Sequence, residues 1–215
     1  VMISSTADQV IRELKEIKKD KKRLTKIAEN SYQHDNGFFK IVLQDNDGFG
    51  RKVRLHVFPK NANIHAAENF HNHRWEFTSD ILVGQIRNDN SIFERADNGK
   101  FTKWNYVKQK DGTFSLLPTT ETWNQITINS NVYISGDSYQ IKTGTIHRII
   151  PSGKFTATLV HTQPASTDSC FQWAEIGHDV GQNGANQKKE PLEWWEVRRL
   201  ISEVLTEMEI EGVVA

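Results

Sequence analysis

The chain has 215 residues, enough for one sizeable core with additions. Lysine plus arginine equals aspartate plus glutamate at 27 each, so there is no basic footprint for nucleic acid or an anionic membrane. No run of 18 or more apolar residues is present, and no positive segment followed by an apolar one marks a secretory signal. Cys170 is the single cysteine, so no intrachain disulfide can form; this fits a reducing cytosol, and a cytoplasmic protein is expected.

Residues 4–30 read as a helix. Ser5 and Asp8 have capping-box-like spacing, and Val10, Ile11, Leu14, Ile17, Leu24 and Ile27 approximate one apolar stripe. That stripe needs a partner, either the outside of the main domain or a second subunit. The opposite face holds Lys18, Lys19, Lys21, Lys22 and Arg23, read as a solvated face.

From about residue 37 the period becomes alternating. Strands are expected over 38–44, 52–58, 69–77, 80–88, 91–96, 101–108, 113–118, 123–128, 131–134, 138–142, 146–150, 155–162 and 170–176. Asp45-Asn46-Asp47-Gly48, Asp89-Asn90, Asp97-Asn98-Gly99, Asp111-Gly112, Asn129-Ser130-Asn131 and Ser152-Gly153 are turn signals. Short strands punctuated this often predict an antiparallel sandwich or barrel. Residues 177–189 are glycine-rich and polar, a loop. A second helix is expected from Glu190-Pro191, with Leu192, Trp195, Leu200, Val204 and Met208 at helical spacing and Gly212 as its stop. The basic first helix and the acidic last one would then be neighbours. The organisation expected is a helical extension over 1–35, a barrel over 36–178, and a loop with a C-terminal helix over 179–215.

The chemistry concentrates in Asn69-Phe70-His71-Asn72-His73-Arg74-Trp75-Glu76. In a strand, alternate side chains share a face, so His71 and His73 would present their imidazoles side by side, as neighbouring ligands of one metal ion. A third histidine, His147, follows Gly144-Thr145-Ile146.

His71-x-His73 with Glu76 and Gly84 resembles the first motif of the cupin family. Gly136, five residues, Lys142-Thr143-Gly144, two residues and His147 resemble the second, with Lys142 where that family often has proline. The likeness covers roughly residues 50–176. It implies a small antiparallel barrel, a double-stranded β-helix or jelly roll, with a metal site inside its mouth and helices at both termini. Homodimers are common in the family.

Cupins usually place the glutamate three or four residues beyond the second histidine. Here two residues intervene, so alternation turns Glu76 away and gives Phe77 the inward parity. A bulge would restore Glu76 as a ligand. Without one the ligands are His71, His73 and His147, a set that resembles the thiol-dioxygenase branch, with Glu76 beside the ligands or exposed.

Three imidazoles do not select a metal: Fe(II) is expected, with Zn, Mn or Ni as alternatives. Three ligands on one side leave open positions, the mark of a catalytic site. The leading expectation is a mononuclear non-heme Fe(II) dioxygenase acting with O2 on a small organic molecule. The alternatives are a metal-dependent isomerase, lyase or hydrolase on the same barrel, and a small-molecule-binding cupin without turnover.

Other candidates follow from parity. His161 ends the strand after His147 and would line the pocket. His56 and Arg54 share a face. Arg74 and Arg148 directly follow ligand histidines and turn outward, which favours Arg54 or Arg87 as the pocket cation. Tyr139, on the strand leading to His147, would donate its phenol to substrate or oxygen. His34, His65 and His178 receive no role.

Overall fold

In the computed structural model, residues 7–34, 36–45, 47–61, 69–108, 114–178, 180 and 189–213 are described. Ser5, His65, the Asp111-Gly112 turn and most of the glycine-rich loop lie outside these. The molecule is mainly β, with two antiparallel sheets and helices at both ends, the architecture that the cupin resemblance implies.

The N-terminal helical stretch is two helices, α1 (Ala7–Lys19) and α2 (Lys21–Ala28). The expected single helix breaks at Asp20, whose extended backbone caps α2 and whose carboxylate accepts from the Arg23 N–H at 3.0 Å. Beyond the β region comes α3 (Trp194–Ile210). It starts after Pro191, which bridges to Tyr32. The N–H of its N-cap, Glu193, donates to the Glu196 carboxylate at 2.8 Å. Gly212 follows with φ +69° and ends the helix.

The first sheet has the order β1 (Tyr32–Gln33), β2 (Phe39–Gln44), β3 (Lys52–Phe58), β11 (Thr156–Thr162), β5 (Phe77–Val83), β9 (Ser138–Ile141). Its two faces are distinct. Val53, Leu55, Val57, Ala157 and Leu159 join the apolar stripes of α1, α2 and α3 in one core cluster. The helical stripe therefore packs on the outside of the β domain, and the terminal helices are neighbours. The other face contributes Phe58, Phe77, Ile81, Tyr139 and Val160 to a second cluster, with Trp75 against it.

The second sheet closes on itself in the order β10 (Ile146–Pro151), β4 (Phe70–His71), β12 (Phe171–Glu175), β7 (Phe101–Lys108), β8 (Phe114–Ile134), β6 (Gln85–Arg95). Phe70, Phe93 and Trp173 are buried together, with Phe101, Trp123 and Phe171 against them. Much of the chain's aromatic supply is used here.

Two turn signals are overturned. Asp89-Asn90 lies within β6 and Asn129-Ser130-Asn131 within β8, and the two face each other in register. Three expected strands are thus the single 21-residue β8. Asp89 stays in a buried strand because its carboxylate is paired with Arg87 at 3.1 Å and Arg148 at 3.0 Å, and accepts from Ser130 Oγ at 2.7 Å. A buried carboxylate is tolerated when it is paired and hydrogen-bonded.

The expected strand over 80–88 breaks at Gly84, with φ +81°. A Cβ there would stand 2.2 Å from the Phe155 carbonyl oxygen, so only glycine fits between β5 and β6. The Gly84 N–H is held by the Glu211 carboxylate at 3.1–3.2 Å, tying the end of α3 to the sheet.

Candidate metal centre

The expected strand over 69–77 is also interrupted. It runs as β4 through His71, leaves strand conformation over 72–76, and resumes at Phe77. The intervening segment is nevertheless pinned. The Asn72 N–H donates to the Phe171 carbonyl at 3.1 Å, and the Phe171 N–H donates to Asn72 Oδ1 at 2.7 Å. The Arg74 carbonyl accepts from the Ser166 N–H at 2.8 Å and the Glu76 carbonyl from the Gln163 N–H at 2.9 Å. Backbone hydrogen bonds thus hold His73 in place without a continuous ladder.

His71 stands directly opposite His147 in the β4–β10 register, and opposed residues of an antiparallel pair share a face. The ring centroids of His71 lie 4.8 Å from those of both His73 and His147. Nε2 of His73 and Nε2 of His147 are 3.0 Å apart. One ligand nitrogen from each of the three residues lies within 4.8 Å of the others. Nitrogens sharing one ion at about 2.0–2.1 Å stand roughly 3 Å apart, the spacing that His73 and His147 already have.

The ring orientations are set from behind. His147, 1% exposed, has Nδ1 2.8 Å from Asn88 Oδ1, and Asn88 Nδ2 donates to Asn90 Oδ1 at 3.1 Å. His71 Nδ1 lies 2.9 Å from the Asn69 carbonyl oxygen. Both acceptors hold the ring proton on Nδ1 and leave Nε2 as the donor atom toward a metal. Burial, reinforced by the neighbouring histidines, pushes His73 well below the usual histidine range; burial and then His71 do the same to His147. Both are held neutral, the form that ligates. The donor set fits a divalent ion of borderline softness.

Phe77 faces the histidines as expected, although the break over 72–76 means that strand alternation from His73 does not place it there. Its ring is 5.2 Å from His73 and 5.8 Å from His147. Trp75 lies 5.6 Å from His73. Tyr139 meets Phe77 and Tyr133, at 6.4 and 4.6 Å, so it stands behind Phe77 in the same aromatic wall. Glu76 is outside the group of three.

Two expected pocket residues point elsewhere. His161 follows Val160 on β11 and shares the outer face with Ala157 and Leu159, as alternation requires. Its Nε2 lies 3.5 Å from Asp80 Oδ2, and Asp80 accepts from Ser138 Oγ at 2.7 Å. Arg87 lies on the face of β6 opposite Asn88, drawn there by Asp89. Arg54, by contrast, reaches Trp75, its guanidinium 5.5 Å from that ring. His34 stacks on Phe38, at 4.6 Å, and its Nδ1 accepts from the Asn36 N–H at 3.3 Å; His178 is exposed.

Asn88 is the residue that the sequence hid. Its place beside the Asp89-Asn90 turn signal masked a strand position facing His147. The polar pair Asn88 and Asn90, two apart like the histidines, was the available clue.

No protein-family model matches the chain, and no curated protein does. Among solved structures, a formate complex of Lactobacillus farciminis oxalate decarboxylase is similar at 9% identity and a TM-score of 0.34, over 61% of this chain and 30% of that one. A cupin superfamily protein of Desulfitobacterium hafniense is similar at 11% identity and a TM-score of 0.35, over 61% and 81% of the two chains. An RmlC-like cupin of Shewanella frigidimarina is similar at 16% identity and a TM-score of 0.35, over 62% and 81%.

Proposed function

We propose that His71, His73 and His147 hold one Fe(II) ion and that the protein is a mononuclear non-heme oxygenase acting with O2 on a small organic molecule. The observation that supports a metal-dependent reading is the convergence of three imidazole nitrogens within 4.8 Å, with no carboxylate among them. Held by three ligands on one side, an ion would keep open positions at which substrate and O2 could bind together. The chain's own part is orientation and exclusion of water. Asn88 and the Asn69 carbonyl fix two rings, the backbone bonds over 72–76 fix the third, and Phe77, Trp75 and Tyr139 supply an apolar wall.

The test is the metal content of protein purified with and without air, combined with oxygen uptake on a panel of small substrates. Roughly one iron per chain, lost in His147→Ala, together with substrate-dependent oxygen uptake, is the expected result. A folded wild type that takes up no divalent metal ends the proposal. A chain that binds zinc or manganese and turns over without oxygen moves it to an isomerase, lyase or hydrolase.

A further inference from the structure

The margin of the second sheet carries a feature that the metal centre does not use. Past residue 123, β8 pairs with β6 alone, and among the described residues no strand lies along its other edge. Ile126 to Ser130 are five consecutive exposed residues, so both faces of the strand meet solvent there. Ile126, Ile128, Val132 and Ile134 are each more than half exposed. This open edge belongs to a strand of 21 residues, whereas the edge strands of the first sheet, β1 and β9, have 2 and 4. Proteins blunt exposed edges with short strands, charged side chains or proline, because an open row of N–H and C=O groups is a template for another strand. From Thr122 to Ile134, β8 has no charged residue and no proline. Its ladder to β6 has a bulge at Ile126, between the pairs Thr127–Ile92 and Gln125–Phe93, and is regular from Thr127 to Ile134.

The segment is close to a palindrome about Ser130: Ile126-Thr127-Ile128-Asn129-Ser130-Asn131-Val132-Tyr133-Ile134. Two copies laid antiparallel, Ser130 opposite Ser130, set Ile128 against Val132, Asn129 against Asn131 and Ile126 against Ile134. Backbone direction agrees with that pairing. The Ser135 N–H donates to the Gly84 carbonyl at 3.0 Å, which continues the ladder toward β6. Alternation then turns the N–H and C=O of Ile128, Ser130 and Val132 toward the open edge. These are the residues that the palindrome brings face to face, so each facing pair exchanges two hydrogen bonds. Ile134 ends the run, its N–H donating to Asp137 Oδ2 at 2.8 Å.

We propose that two copies of this chain associate through the open edge of β8, antiparallel about Ser130, as one sheet continued across a two-fold axis. The partner is a second copy because the segment complements itself. It opposes no like charges and matches apolar to apolar and amide to amide. The three facing pairs supply about six backbone hydrogen bonds, within the range of a typical interface. The surface covered is on the order of 500 Å² per chain, the threshold of a specific interface, so association is expected in the micromolar range. The contact needs no metal and is independent of the proposed oxygenase.

The test is sedimentation equilibrium of the full chain from about 1 to 200 μM, which brackets a micromolar Kd. Wild type is expected to pass from monomer to dimer across that range. Ile128→Lys combined with Val132→Lys opposes two ammonium groups at each end of the pairing and should weaken the dimer at least about tenfold. Ile128→Glu combined with Val132→Glu should do the same. An equimolar mixture of the two double variants should dimerise again, because every opposed pair is then lysine against glutamate. A wild type that stays monomeric, double variants that dimerise as wild type does, or a mixture that stays monomeric each overturn the proposal. Should a double variant fail to fold, Ser130→Cys combined with Cys170→Ser decides. Facing Cα atoms of a hydrogen-bonded pair stand about 5.5 Å apart, within reach of a disulfide, so oxidation should yield a covalent dimer. A chain that remains monomeric after oxidation overturns the proposal.

Discussion

Nδ1 of His147 and Oδ1 of Asn88 lie 2.8 Å apart in a buried contact between β10 and β6. That bond chooses the ring tautomer and points Nε2 at His73. Partners of this kind typically change metal affinity 10–100-fold when removed. Asn88→Ala should therefore weaken zinc binding by about that factor in a competition titration, while Asn88→Asp, which keeps an acceptor oxygen, should hold or raise it.

The ligand set is tested by contrast. His71→Ala, His73→Ala and His147→Ala should each reduce metal stoichiometry from one per chain toward zero. Glu76→Gln, Arg87→Met and His161→Ala should bind metal as wild type does. The three replaced side chains lie outside the histidine group. A Glu76→Gln protein that loses its metal would show that the carboxylate joins the ligands on binding.

Stability of the metal-free protein should fall below neutral pH. Burial comes first among the causes that hold His56, His73 and His147 well below the usual histidine range. The unfolded chain takes up protons near pH 6.5, whereas the folded protein does so only at lower pH. The stabilisation is thus complete above about pH 6.5 and is lost as pH falls toward the folded values. Each histidine contributes a slope of up to about 1.4 kcal/mol per pH unit in that range. Urea unfolding with chelator between pH 7.5 and 5 measures it, and a flat profile would contradict the buried neutral histidines.

Gly84→Ala should destabilise the fold by at least about 2 kcal/mol. The residue combines φ +81° with a Cβ position 2.2 Å from the Phe155 carbonyl oxygen. Gly136→Ala is the comparison: it shares a positive φ of +90° but has nothing within 4 Å of its Cβ, so it should cost about 1 kcal/mol, the backbone effect alone. Equal losses in the two variants, read by denaturant midpoint, would remove the steric argument.

The sequence by itself determined the alternating β class, the helices at the ends, the three histidines and the parity of Arg54. These are local properties: side-chain alternation, spacing and apolar stripes act over a few residues. The exact limits of β3 and β7, 52–58 and 101–108, were legible for the same reason. Only the tertiary structure decided what depends on partners far along the chain. Asp89-Asn90 is a turn signal until Arg148 pairs with Asp89, 59 residues away, and makes it a strand. The same pairing places Asn88 behind His147. His161 was misplaced because Val160 and His161 must be assigned to inner or outer faces, and that assignment came from where the helices pack. The break over 72–76 takes His73 out of the strand, so alternation alone does not pair it with His71. His73 reaches the centre because Asn72, Arg74 and Glu76 bond to Phe171, Ser166 and Gln163, contacts formed only when the last strands return to close the site.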